Sequence, residues 1–162
     1  MMKTPRTVFM FGMRHFYLIL LLLLTGCGTT HHSSGWSTCH AGPFNLDMPV
    51  DLRKTSTTRT DSYFAEFEGK GLLVSFDYGS NANDFGDWPP ATEYEMVTID
   101  GKTARIGTVN KGYRSGYKFT TQVSFRETDG KYLAITAACE TKSDLARAKK
   151  VFRSVKFNPT AP

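Results

Sequence analysis

Proton-transfer catalysis needs a histidine or carboxylate held against a substrate, and nucleophilic catalysis needs a hydroxyl or thiol beside a base. Beyond His15, the histidines are His31, His32 and His40, and from Ala41 onward there is none. The stretch that must fold therefore lacks the commonest acid–base group. No G-x-S-x-G, phosphate-binding loop or dinucleotide fingerprint occurs. Glu66 and Glu68 are two residues apart. On a strand they share a face, as a glycosidase pair would, but a solvated face has the same look. His31, His32 and His40 invite metal ligation, yet no acid or cysteine stands at matching spacing, and they read as solvated linker. Asn81, Asn83, Asp84 and Asp87 lack the order of a calcium loop. The expectation is a non-enzymatic chain with no metal and no cofactor.

The three cysteines have different prospects. Phe16 to Leu24 is an unbroken apolar run, preceded by Lys3, Arg6 and Arg14 without an acid. It is short for a membrane-spanning helix, which needs about 20 residues. A basic segment, an apolar run and small residues at its end make a signal peptide. Leu24-Thr25-Gly26-Cys27 resembles the lipobox of bacterial lipoproteins. That resemblance implies a diacylglyceryl group on the Cys27 thiol, cleavage before Cys27, and acylation of the new amino terminus. Several acyl chains anchor stably where one does not. The implied location is the cell envelope, anchored by lipid to the membrane and facing the periplasm. Gly28, where Asp would favour the inner membrane, implies the outer membrane in a Gram-negative cell. Met13 is an alternative start that leaves the mature chain unchanged. The alternatives to lipidation at Cys27 are a plain secretory signal cut nearby or a crude membrane anchor. The other two cysteines, Cys39 and Cys139, are expected to form a disulfide, as paired cysteines in exported chains commonly do, the alternative being two buried thiols.

Residues 1–26 hold three of the twenty basic residues and no acid, so the remaining 136 residues carry 17 Lys and Arg against 15 Asp and Glu. A formal +2 does not suggest nucleic acid as a partner. The organisation expected is a signal peptide over 1–26, a flexible tether over 27–37, one domain over 38–158 and a tail over 159–162.

Positioning falls mainly to strands. Phe44 to Pro49 alternates apolar and polar; Arg53 to Thr60 reads as a polar turn region. Ser62 to Glu68 and Leu72 to Tyr78 form a hairpin around Gly69-Lys70-Gly71. Glu93 to Ile99 and Lys102 to Val109 flank Asp100-Gly101, a strong hairpin signal. Lys118 to Glu127 and Tyr132 to Cys139 flank Asp129-Gly130, and the second reads as a central strand. Ser143 to Ser154 is a helix capped by Ser143, with Leu145, Ala148, Val151, Phe152 and Val155 as its apolar stripe. Two loops stand out. Gly79 to Ala91 carries Phe85 and Trp88; Asn110 to Gly116 carries Lys111, Tyr113 and Arg114. Phe85, Trp88, Tyr113 and Arg114 are the candidate ligand-binding residues. Against that, the two aromatics of the first loop could cap the core, and the second loop could simply be solvated.

The strand-then-Pro of Phe44 to Pro49, the meander of hairpins, Asp100-Gly101-x-x-Ala104, and the closing helix into Phe152-x-Ser154-Val155-x-Phe157 together resemble the PsbP-like α/β/α sandwich. That fold is also seen in small bacterial lipoproteins of the DcrB type. The fold class implied is α+β, a curved, mainly antiparallel sheet with a C-terminal helix packed on it. Such folds often place a long helix between Pro49 and Ser62, where this chain offers none. The resemblance implies a non-catalytic assembly factor or binding module, and none of the family's functional residues maps onto this chain. The expected function is a lipid-anchored envelope protein that binds an envelope protein partner. The alternatives are a module binding peptidoglycan, glycan or lipid, and an enzyme using carboxylates.

Overall fold

The computed structural model describes residues 35–57, 62–80, 82, 88–127 and 130–158. Cys27, His31, His32 and Phe85, with Asn81, Asn83, Asp84 and Asp87, lie outside these. The chain divides into two units, Met1–Ser33 and Ser34–Pro162, and the described residues all belong to the second.

Among the described residues there are ten strands and one helix. They are β1 (Trp36–Ala41), β2 (Phe44–Pro49), β3 (Arg53–Thr57), β4 (Tyr63–Gly69), β5 (Leu72–Gly79), β6 (Glu93–Ile99), β7 (Lys102–Val109), β8 (Phe119–Arg126), β9 (Tyr132–Cys139), α1 (Lys142–Arg153) and β10 (Lys156–Phe157). All pairings are antiparallel. The fold is α+β, with α1 packed on the larger sheet, as expected. The strands nevertheless form two sheets rather than one: β1-β2-β10, and β3-β4-β5-β9-β8-β7-β6. β9 is the central strand of the seven, which accounts for its apolar run.

Strand alternation decides which face is buried. Leu72, Val74 and Phe76 of β5, Val123 and Phe125 of β8, and Leu133, Ile135 and Ala137 of β9 all enter one core. Phe44 and Leu46 of β2 meet them there, with Ala148, Val151 and Phe152 of α1. The small sheet and the helix thus cover the same face of the large sheet. Asp100 and Gly101 both have positive φ, 50° and 76°, the pairing that a two-residue hairpin turn of this type requires. Asp100 also reaches the small sheet. Its Oδ2 accepts from the Phe157 N–H at 2.8 Å and its Oδ1 pairs with Lys156 at 3.2 Å. Those two contacts, the backbone N–H first, hold the Asp100 carboxyl below its usual range.

Several expectations are corrected. Residues 53–57 are a strand, not a turn. Arg53, Lys54, Thr55 and Ser56 are all exposed, so β3 lacks the buried alternation by which a strand is read. β1 begins at Trp36, inside the stretch expected as tether, where the ring lies 4.2 Å from the Lys150 ammonium. The helix cap is Thr141 rather than Ser143. The Thr141 hydroxyl accepts from the Asp144 N–H at 3.2 Å while Asp144 Oδ2 accepts from the Thr141 N–H at 3.1 Å, a reciprocal capping box.

Cys39 and Cys139 carry free thiols, so the expected disulfide is not formed in this structure. Cys39 lies in the small sheet opposite Leu46, whereas Cys139 ends the central strand of the large sheet between Leu72 and Phe119. Their charged neighbours also differ. Burial raises Cys39 against the pull of Lys54, and burial raises Cys139 to about 12 with the Asp144 carboxylate pushing the same way.

Candidate functional site

The second face of the large sheet is shaped by connectivity. β5 is third in the sheet and β6 seventh, so the segment joining them must cross β9, β8 and β7. The described residues Trp88 and Pro89 of that segment border a cavity on the face away from α1. The β7–β8 connection joins adjacent strands, yet it does not turn tightly. It extends over the same face to β4. Arg114 Nη2 donates to Glu66 Oε2 at 2.7 Å, and the Tyr117 hydroxyl donates to Glu68 Oε1 at 3.3 Å. At its near end the Tyr113 N–H donates to Thr120 Oγ1 at 3.1 Å, and the Thr120 hydroxyl donates to the Lys111 carbonyl at 2.6 Å. Register explains what the loop covers. Glu68, Leu73, Ala138 and Thr120 stand side by side across β4, β5, β9 and β8. The loop is bonded at both ends of that row, and Leu73 and Ala138 between them are fully buried.

The neighbouring row forms the floor. Glu66, Ser75, Thr136, Gln122, Gly107 and Tyr94 are successive cross-strand partners from β4 to β6. The cavity over this row measures about 660 Å³ and is walled by Trp88, Phe64 and Tyr113. Its floor is polar without being charged at its centre: the Thr136 hydroxyl donates to Gln122 Oε1 at 3.0 Å, and Ser75 hydrogen-bonds the Tyr113 phenol. Tyr113 is 48% exposed, but its phenol end is turned inward, and burial there raises its pKa to about 12. Gly112 fits because a Cβ would sit 2.1 Å from the Tyr117 carbonyl oxygen. The loop folds back on itself at that point with no room for any side chain.

Three of the four candidate loop residues, Trp88, Tyr113 and Arg114, thus border a single cavity; Phe85 lies outside the described residues. Glu66 and Glu68 do share a face, but both are bonded to the loop. Gln122, Thr136, Ser75 and Thr120 were missed. A strand's outward alternants look like solvent-facing positions until a loop covers them, and the one available signal was Gln122 in the otherwise small or apolar stretch around it. His40 faces Asn45 at 2.8 Å. Among the described residues no cluster of His, Cys, Asp and Glu could hold a metal. No known family model and no curated protein matches this chain.

Proposed function

We propose that the chain is a lipid-anchored, non-catalytic binding module of the bacterial cell envelope, tied to a membrane through Cys27, whose ligand is a hydroxyl-rich molecule such as a glycan strand. The observation that carries the ligand is the convergence of Trp88 and Tyr113 on one cavity floored by Gln122, Thr136 and Ser75. Ligand sites combine apolar walls with a few placed polar groups. Aromatic walls suit the C–H faces of sugar rings, and uncharged amide and hydroxyl groups suit their hydroxyls. Glu66 is taken up by Arg114, which disfavours carboxylate chemistry. A cavity of this size favours a ligand over the competing reading, an envelope protein partner. Kinship with PsbP-like and DcrB-type domains belongs to the same proposal, supported by the order of elements. In this chain α1 covers one face of the large sheet, and the other carries the cavity and its loops.

Binding is tested by titrating soluble glycan fragments into the purified protein. Trp88→Ala and Tyr113→Ala are each expected to weaken binding roughly tenfold, about 1.4 kcal/mol. A double variant that binds as tightly as the parent defeats the ligand reading. The anchor is tested separately: Cys27→Ser is expected to abolish incorporation of labelled palmitate, and unchanged labelling would refute the lipobox assignment.

A further inference from the structure

Sheet edges present unpaired backbone donors and acceptors, and proteins normally guard them with bulges, charged side chains (inward-pointing ones included), prolines, short length or a covering loop. Among the described residues, three of the four edges fit that rule or offer little apolar surface. β3 has a register shift between Lys54 and Ser56 and carries Arg53 and Lys54. β10 is two residues long. β1 exposes Ser37, Thr38 and His40, and Thr38 and His40 are bonded to side chains of β2. β6 is different. It runs seven residues in unbroken register with β7, without bulge or proline, and its only charges are Glu93 and Glu95 on the inner face, where Lys149 and Arg153 neutralise Glu95. Its outward face also carries Tyr94 at 48% and Met96 at 65% exposure, the latter the most exposed large hydrophobic among the described residues.

We propose that β6 pairs antiparallel with the β6 of a second copy of this chain, about a two-fold axis at Met96, joining the two large sheets into one. An isologous joint requires a strand that complements itself. Centring on Met96 pairs all seven residues. It sets Met96 against Met96 and Tyr94 against Thr98 on the outer face. On the inner face Glu93 meets Ile99 and Glu95 meets Val97, so no glutamate opposes a glutamate. Centring on Glu95 sets that residue against itself, which like charges disfavour. A shift by one residue is excluded because it exchanges the faces. Within each copy the inner face is braced, since Glu95 is held by Arg153 at 2.8 Å and Lys149 at 3.3 Å. Arg105 lies 4.8 Å over the Tyr94 ring on the outer face. The partner that fits this edge is therefore an apolar-bearing, regular strand of the same sequence.

Cysteine crosslinking in the full-length chain tests the register. Met96→Cys is expected to give a covalent dimer on mild oxidation in cells. Tyr94→Cys and Thr98→Cys singly are expected to give no more than the parent, while the double variant restores the dimer. Met96→Lys, which opposes two ammonium groups at the axis of an exposed site, is expected to halve the mass of the purified full-length chain measured by light scattering. No crosslink at 96, equal crosslinking at 94, 96 and 98, or a monomeric parent overturns the proposal.

Discussion

Phe44→Ala is expected to lower unfolding stability by about 3–5 kcal/mol, the range for deleting a buried aromatic ring from a core. Phe44 is fully buried at the middle strand of the small sheet, opposite Ala41 on one side and Phe157 on the other. Its ring meets Phe76 of the large sheet edge-on, with centroids 5.2 Å apart and planes at 84°, and Tyr78 at 6.2 Å. Phe76 cannot move into the space left behind, because it is itself packed at 5.7 Å from Tyr63 and 6.2 Å from Phe67 and sits on a strand paired on both sides. The hole would remain largely open, which puts the cost toward the upper end. Urea unfolding followed by circular dichroism reads it: the midpoint is expected to fall with the slope unchanged. A cost below about 1 kcal/mol, ordinary for a surface site, would mean the small sheet is not seated on the large one through this ring.

The legibility of each element in the sequence depends on where its signal is stored. The β6–β7 hairpin was readable in full, because Asp100-Gly101 fixes a turn locally and the flanking runs alternate. The β4–β5 hairpin, β8, β9 and the body of α1 were readable for the same reason: period and turn chemistry are local. β3 was not, since a strand exposed at nearly every position has no period to detect. Thr141 is hard to prefer over Ser143, which looks equally able to cap; the choice depends on the carboxylate of Asp144 reaching back to Thr141. The division into two sheets depends on the β1–β2 hairpin standing apart from β3, and its third strand on β10 leaving α1 to pair with β2, a contact between chain ends that no local pattern records. The candidate site is the mixed case. Trp88, Tyr113 and Arg114 were visible as unusual loop residues, but their convergence depends on β5 and β6 standing four positions apart in the sheet. The cysteines were legible only as a count: whether Cys39 and Cys139 can meet depends on how the small sheet seats on the large one, which no local pattern records.

That placement of Cys139 carries a consequence for alkaline stability. Its side chain is fully buried at the end of the central strand, and ionising it would place a thiolate in the core near the Asp144 carboxylate. Burial first, and that carboxylate second, raise the thiol from its ordinary 9.0 to about 12. The folded state therefore holds the proton more tightly than the unfolded chain. The associated stability is fully present below the ordinary thiol pKa, declines as pH rises through the interval between the two values, and is lost once pH passes the folded value. At ~1.4 kcal/mol per pH unit the loss amounts to about 4 kcal/mol across that interval. Tyr113 acts in the same direction, its phenol being raised to about 12, though the partly exposed ring makes its share smaller. Cys139→Ala removes the ionising group while keeping a small apolar side chain. Its unfolding stability is expected to decline less steeply than the parent's between pH 9 and pH 11, where roughly 1.4 kcal/mol per unit is at stake. Parallel declines for parent and variant would show that Cys139 does not ionise on unfolding in this range. The direction of the shift is the same at Cys39, and with both thiols raised neither supplies a useful fraction of thiolate at neutral pH.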